Sequence, residues 1–311
     1  MSAERVAAID IGTNSVLLLI AEPRAGVLEP VSERATITRL GEDVDARRAL
    51  APQAAERTLA CLESYARELR AFGVERVAAV GTSALRDAAG GAEFLDQAEL
   101  LLGVRPRVIS GREEAELTFH GSLSGLPTPA GAVCVFDVGG GSTEIIRGRS
   151  ADGAKSVVEH AVSLDIGSVR LFERHVRHDP PLPEEMARID DDIESALAAA
   201  GAAEPHAVLV GVAGTVTTLV AIELGLPSYD SARVHGFTLT RAVADALAAR
   251  LAALTLAERR ELAGLEPKRA DVIVVGAAIV RSVLAWSGRA GLVVSDRGVR
   301  WGLAERLSNS G

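Results

Sequence analysis

Aromatic residues make up only 3% of this chain of 311 residues, and lysine occurs just at Lys155 and Lys268. With so few rings, hydrophobic cores must be built from Ala, Val, Leu and Ile, which suits buried parallel strands flanked by alanine-rich helices. The same scarcity leaves no stacking platform for nucleic-acid bases. The two cysteines, Cys61 in a helical pattern and Cys134 in a buried-strand pattern, form neither a disulfide framework nor a zinc site and read as core thiols. No apolar run approaches the length of a membrane span, and no signal-type stretch precedes the first strand, so a cytoplasmic protein without a membrane partner is expected. A net charge of −9 argues against a nucleic-acid polymer as partner, because that affinity comes from many basic groups neutralising phosphates. A Walker-type G-x-x-x-x-G-K-[ST] segment is absent as well.

What is present fits a globular α/β protein. Hydrophobic residues are 48% and charged residues 24%, and the length allows two compact domains with their own cores. Genome composition accounts for arginine supplying nearly all of the 33 basic residues, yet arginine also grips phosphate bidentately.

Two segments resemble one another, Asp10-Ile-Gly-Thr-Asn-Ser15 and Asp137-Val-Gly-Gly-Gly-Ser-Thr-Glu144. In each, an apolar strand ends in an acid, a turn of small residues follows, and a second β-prone run leaves it. Glycine lets the backbone approach an anion, here at Gly12 and at Gly139, Gly140 and Gly141. Successive N–H groups, including that of Asn14, can converge on phosphate oxygens, and Thr13, Ser15, Ser142 and Thr143 add hydroxyl donors. The acids Asp10 and Asp137 cannot bind phosphate directly. Their expected role is to hold Mg²⁺ or another divalent cation, which keeps several waters and takes one or two carboxylates plus substrate phosphates. A single such segment would read equally well as a glycine-containing β-turn with a solvated acid. Two of them suggest related halves.

Along the chain, strands are expected over 6–11, 16–21, 27–38, 76–81 and 105–109, with helices over 52–72, 92–102 and 112–122. The turn-rich stretch 121–131 is the candidate linker. After it come strands over 132–138, 144–149, 156–162, 207–212 and 292–295. Helices are expected through 171 and over 183–200 and 216–223, then from an N-cap at Thr240 to 254, over 271–286, and at the C-terminal end. Gly214 and Thr215 form a third turn of phosphate type, opening the helix that starts at 216.

Hydrolysis of a phosphoanhydride needs a base for water, positive charge near the phosphoryl group and usually a divalent metal. Glu113, Glu114 and Glu116 lie in the first turns of a helix, where acids also serve simply to complement the dipole. Spacing puts Glu113 and Glu116 on one face and Glu114 about 100 degrees away, which does not choose among them. Ser83 and Arg86 follow a strand end, where ligands of open α/β sheets gather. Arg39 is a further isolated arginine, and His175 and His178 read as solvated helix-end residues.

Taken together, the chain resembles the exopolyphosphatase / guanosine pentaphosphate phosphohydrolase (Ppx/GppA) family of the acetate kinase, sugar kinase, Hsp70 and actin superfamily. The resemblance rests on the two acid-turn segments together with Thr38-Arg-Leu-Gly41, Thr82-Ser-Ala-Leu-Arg-Asp87, Ile109-Ser-Gly-Arg-Glu-Glu-Ala115, Gly211-Val-Ala-Gly-Thr-Val-Thr-Thr218 and Ser295-Asp-Arg-Gly-Val-Arg300. It implies two ribonuclease H-like domains with a cleft between them, over 1–125 and 126–311, the last helix (298–311) packing back on the first. It also implies that Glu114 is the catalytic base and that Asp137, Glu144 and Asp10 bind the metal. The turns at 12–15, 139–143 and 214–215, with Ser83 and Arg86, would cradle phosphates. The expected substrate is inorganic polyphosphate, with guanosine pentaphosphate (pppGpp) as the alternative, and a homodimer is a family expectation. A superfamily kinase and a non-catalytic phosphate sensor are readings of another class. Longer members carry an additional helical region after the point matching Trp301, so a short, two-domain type that does not process very long chains is expected.

Overall fold

Strand β1 (Val6–Ile11) is buried at every position, so both faces of its sheet must be covered. Its side chains alternate accordingly. Ala7, Ile9 and Ile11 join a core with Leu62, Tyr65 and Leu69 of the helix Pro52–Ala71. Val6 and Ala8 join another with Trp301, Leu303 and Ala304 of the last helix, Val299–Ser308. The computed structural model describes residues 4–24, 27–127, 130–150, 156–203 and 207–310, without the side chains of Asp45, Ala46 and Asp87.

The chain forms two compact units, one of Met1–Gly121 with Val299–Gly311, the other of Ser122–Gly298. The first holds a five-stranded sheet in the order β3-β2-β1-β4-β5. Here β2 (Ser15–Arg24) and β3 (Val27–Ile37) run antiparallel, while β4 (Arg76–Gly81) and β5 (Arg107–Val108) run parallel to β1. The sheet is therefore mixed rather than a stack of buried parallel strands. Expected over 105–109, β5 has only two residues, because Pro106 has no N–H to give the ladder.

In the second unit the six-stranded sheet has the order β10-β11-β9-β6-β7-β8. Its strands are β6 (Gly131–Val138), β7 (Thr143–Ser150), β8 (Val157–Leu164), β9 (Val208–Val212), β10 (Thr238–Thr240) and β11 (Gly291–Val294). Without β10, which the sequence reading did not include, the order and strand directions match the first sheet. Apolar on nearly all sides, the helix Ile273–Ser287 is the centre of this unit's core. Thr240 caps the helix Arg241–Ala253 by accepting the Val243 N–H.

A further difference from the sequence expectation concerns a helix end. The helix Gly111–Leu123 runs into the stretch taken as a linker, of which Thr128 and Pro129 lie outside the described residues. Phe119, fully buried, anchors this last part of the helix. The last helix approaches this one so closely that a Cβ on Gly302 would stand 2.1 Å from the Leu117 carbonyl oxygen. Among the described residues no helix is long and apolar enough to cross a membrane.

Candidate active site

Both acid-turn segments close with the same hydrogen bond. Gly12 N–H donates to the Ser15 carbonyl at 3.0 Å, and Gly139 N–H to the Ser142 carbonyl at 2.9 Å. The turn carbonyls are then drawn to one side. Thr13 O accepts from Gly41 N–H at 2.9 Å, and Asn14 O from the N–H groups of Thr38 and Arg39 at 3.1 and 3.0 Å. In the second unit Gly139 O accepts from Ser168 at 3.0 Å and Gly140 O from Val169 and Arg170 at 2.9 and 3.0 Å. The Arg170 side chain reaches Gly141 O through Nε at 2.6 Å. A planar trans peptide points C=O and N–H in opposite directions, so the N–H groups of Asn14 and Ser15, and of Gly140, Gly141 and Ser142, are directed away from these partners. Successive N–H groups turned to one side of a loop can converge on an anion.

One glycine supports each turn from beneath. A Cβ on Gly41 would stand 2.2 Å from Thr13 Cγ2, and one on Gly167 would stand 2.2 Å from Gly140 O. Arg39 takes part through its backbone, at φ 53.

In the first unit Thr13 Oγ1 and Ser83 Oγ are 2.7 Å apart, which ties the turn to the short helix Ser83–Asp87. Arg86, on the same helix, donates through Nη1 to both Ile109 O and Glu114 Oε2 at 3.1 Å. The three neighbouring acids are thereby told apart. Glu113 is bound by Arg107 at 2.7 and 2.5 Å and by Arg306 at 2.8 Å, and the Arg107 hydrogen bonds hold its carboxyl down to about pKa 2. Glu116 pairs with Arg112 at the surface. Glu114 alone of the three is buried.

Asp10 lies on the Val6 and Ala8 face of β1 and is 8% exposed. Burial pushes its carboxyl up to about pKa 7, against the attraction of Arg300, and its Oδ1 has no hydrogen-bond partner among the described residues. A buried carboxylate oxygen without a donor suits a cation ligand.

In the second unit Asp137 and Glu144 stand directly opposite each other in the β6–β7 register, hence on one face of the sheet. Glu144 is buried, and its Oε1 accepts from Ser142 Oγ and Ser163 Oγ, each at 2.7 Å. Thr143 is committed elsewhere, its hydroxyl donating to Ile166 O at 2.5 Å. Among the described residues no three His, Cys, Asp or Glu side chains converge as a metal cage. Two carboxylates on one face nevertheless fit Mg²⁺, which binds with few protein ligands and completes its shell with water and phosphate oxygens.

The third turn differs from its expected form, because the helix begins at Ala213 rather than at 216 and runs to Glu223. Gly214 and Thr215 thus lie in the first helical turn, after Ala213 at φ 72, a strained conformation for a residue with a Cβ. Arg269, missed in the sequence reading, covers Gly214. A Cβ there would meet its Nη1 at 2.2 Å. Its position, far along the chain in a short 3-10 turn (Pro267–Arg269), carries no local motif. His175 and His178 are bound by Asp192 and Glu185 at 2.8 and 2.9 Å.

The model of the Ppx/GppA phosphatase family matches residues 19–310. Exopolyphosphatase 2 of Mycobacterium tuberculosis is 38% identical over 325 aligned residues, covering 99% of this chain and 100% of that protein. A crystal structure of the Aquifex aeolicus member of the Ppx/GppA family is similar at a TM-score of 0.82 and 35% identity, covering 99% of each chain. An exopolyphosphatase from Cytophaga hutchinsonii is similar at a TM-score of 0.88 and 26% identity, covering 99% of this chain and 98% of that one. With the family model spanning nearly the whole sequence, the chain belongs to the Ppx/GppA phosphatase family.

Proposed function

We propose that this protein is an exopolyphosphatase, hydrolysing the terminal phosphoanhydride bond of inorganic polyphosphate to release orthophosphate. The end-to-end similarity to Exopolyphosphatase 2 carries this reading. Each unit is taken as one ribonuclease H-like domain, the last helix counted with the first. The N–H groups of the turns at 12–15 and 139–143 bind phosphate oxygens, assisted by Ser83, Arg86 and the helix start at Gly214 and Thr215. Arg39 adds positive charge beside the first turn.

Asp137 and Glu144 would hold Mg²⁺ or another divalent cation in the second unit, and Asp10 would offer a carboxyl ligand to a cation in the first. Such a cation, when bound, offsets the charge that develops on the phosphoryl oxygens. Glu114 accepts a proton from the attacking water, anchored meanwhile by Arg86 at 3.1 Å. The water oxygen bonds to the terminal phosphorus as the bond from that phosphorus to the bridging oxygen breaks. That bond's electron pair leaves with the shortened chain.

Phosphate release from polyphosphates of defined length, with and without Mg²⁺ and beside pppGpp, tests the reading. Release from polyphosphate that needs the cation supports it. Release from pppGpp alone would favour the second reading, a pppGpp 5′-phosphohydrolase, which the family's joint description equally allows. The same proposal takes the protein as cytoplasmic and homodimeric, and light scattering on the purified protein checks the latter.

A further inference from the structure

Strand register sets three side chains of the second unit in one row. Asp137 on β6 stands opposite Glu144 on β7, and Glu144 opposite Ser163 on β8, so all three project from the same face. The matching row of the first unit is Asp10, Leu17 and Ala35. The acid is common to both rows. Beyond it, one unit is polar at both positions and the other apolar at both, so the serine stands where a second carboxylate stands.

The two hydroxyls that converge on Glu144 Oε1 are placed differently. Ser142 is buried in the turn and belongs to its backbone geometry. Ser163 is exposed on β8, the edge strand of the sheet, and buries no apolar group that the fold would miss. Its hydroxyl is what that position offers. The terminal torsion of a glutamate is broad, so an unbraced carboxylate rotates among many orientations. Two donors at 2.7 Å on one oxygen remove that freedom. Hydrogen bonds of this kind, from residues that do not touch a metal, orient the ligands that do.

We propose that Ser163 is a positioning residue for the reaction: it holds the Glu144 carboxylate in the orientation in which that group binds the divalent cation. The inference rests on the reading of Glu144 as a cation ligand. It assigns Ser163 no contact with substrate.

Three variants test it: Ser163→Ala, Ser163→Thr and Glu144→Gln. Mn²⁺ binding to the substrate-free protein is measured by electron paramagnetic resonance, beside kcat and KM for a defined polyphosphate and thermal unfolding in EDTA. Ser163→Ala is expected to weaken Mn²⁺ binding by about 10–100-fold, the range for losing a ligand-orienting partner. Its kcat at limiting cation should fall in step, with KM for polyphosphate at saturating cation and the unfolding temperature in EDTA unchanged. Ser163→Thr should restore Mn²⁺ binding and turnover together.

Unaltered Mn²⁺ affinity in Ser163→Ala would overturn the inference, as would a rise in KM alone, which would make the serine a substrate contact. A lowered unfolding temperature in EDTA that Ser163→Thr does not reverse would assign the residue to the fold instead. Glu144→Gln separates the two levels. If it binds Mn²⁺ and turns over normally, the reading of Glu144 fails and this inference with it. If it loses the cation while Ser163→Ala does not, only the role of Ser163 fails.

Discussion

The two units share a strand order, a turn and an acid before the turn, yet they treat that acid in opposite ways. Asp10 is buried with an oxygen lacking a donor, beside apolar Leu17 in the register. Asp137 is half-buried and stands beside a second carboxylate that is itself braced by two hydroxyls. A repeated scaffold therefore holds one buried carboxyl with an oxygen that no donor meets and one pair of carboxylates braced by hydroxyls. The base proposed above stands away from that acid, after β5, where Glu114 meets Arg86. Both turns close with the same backbone hydrogen bond, while the side chains around them differ.

Several substitutions would sharpen or break this contrast. The largest effect is expected at Glu114, where Glu114→Gln should lower kcat by about 10²–10⁴-fold, the usual contribution of a positioned base, with KM little changed. Glu113→Gln should leave kcat near wild type. Steady-state phosphate release separates them, and equal losses would dissolve the distinction drawn between these neighbours.

Next comes Asp10. Its pKa of about 7 lies above the ordinary 3.8, so the folded protein binds this proton more tightly than the unfolded chain. The stability it contributes is full below about pH 4 and is lost as pH rises through 7. In a chelating buffer at pH 8, Asp10→Asn should therefore stabilise the protein, by at most about 4 kcal/mol, and at pH 4 hardly at all. Denaturant unfolding at the two pH values checks it. A gain of the same size at both would place the cause elsewhere.

The supporting glycines come third. Gly167→Ala would press on the Gly140 backbone, whereas Gly41→Ala would meet the Thr13 methyl, which can move. Overpacking costs about 1–3 kcal/mol, and Gly167→Ala should lie at the upper end. Equal shifts in unfolding midpoint would mean that the two turns are equally compliant.

Smallest is Glu113, held at about pKa 2 by Arg107 and Arg306. Its contribution is present above the ordinary 4.5 and fades as pH falls toward 2. Glu113→Gln should cost about 1 kcal/mol at pH 7, since the cluster is partly solvated. That difference from wild type should shrink in acid, as measured by urea midpoints.

Much of the fold was legible because its signals are local. Pro52 opens a helix with an apolar stripe, the run of Val, Ile and Ala after 272 can only be an interior helix, and both acid-turn segments announce themselves by glycine and hydroxyl content. The rest depends on register and on distant chain. Ser163 meets Glu144 only through the pairing of β7 with β8, and Arg269 reaches Gly214 from a turn without periodicity. Choosing among Glu113, Glu114 and Glu116 required knowing where Arg107, Arg306 and Arg86 end, which helical spacing alone does not contain. The early start of the helix at Ala213 escaped for a related reason. An alanine at positive φ contradicts its own propensity and is held there by its surroundings.

The last helix has a consequence for how the chain is made. Trp301, Leu303 and Ala304 complete the core over one face of β1, although some three hundred residues separate them from it along the polypeptide. The first unit therefore cannot complete its core until residues 299–308 have been made, whereas the second unit is one contiguous segment, Ser122–Gly298. That core thus stays incomplete for as long as the whole of the second unit takes to be synthesised.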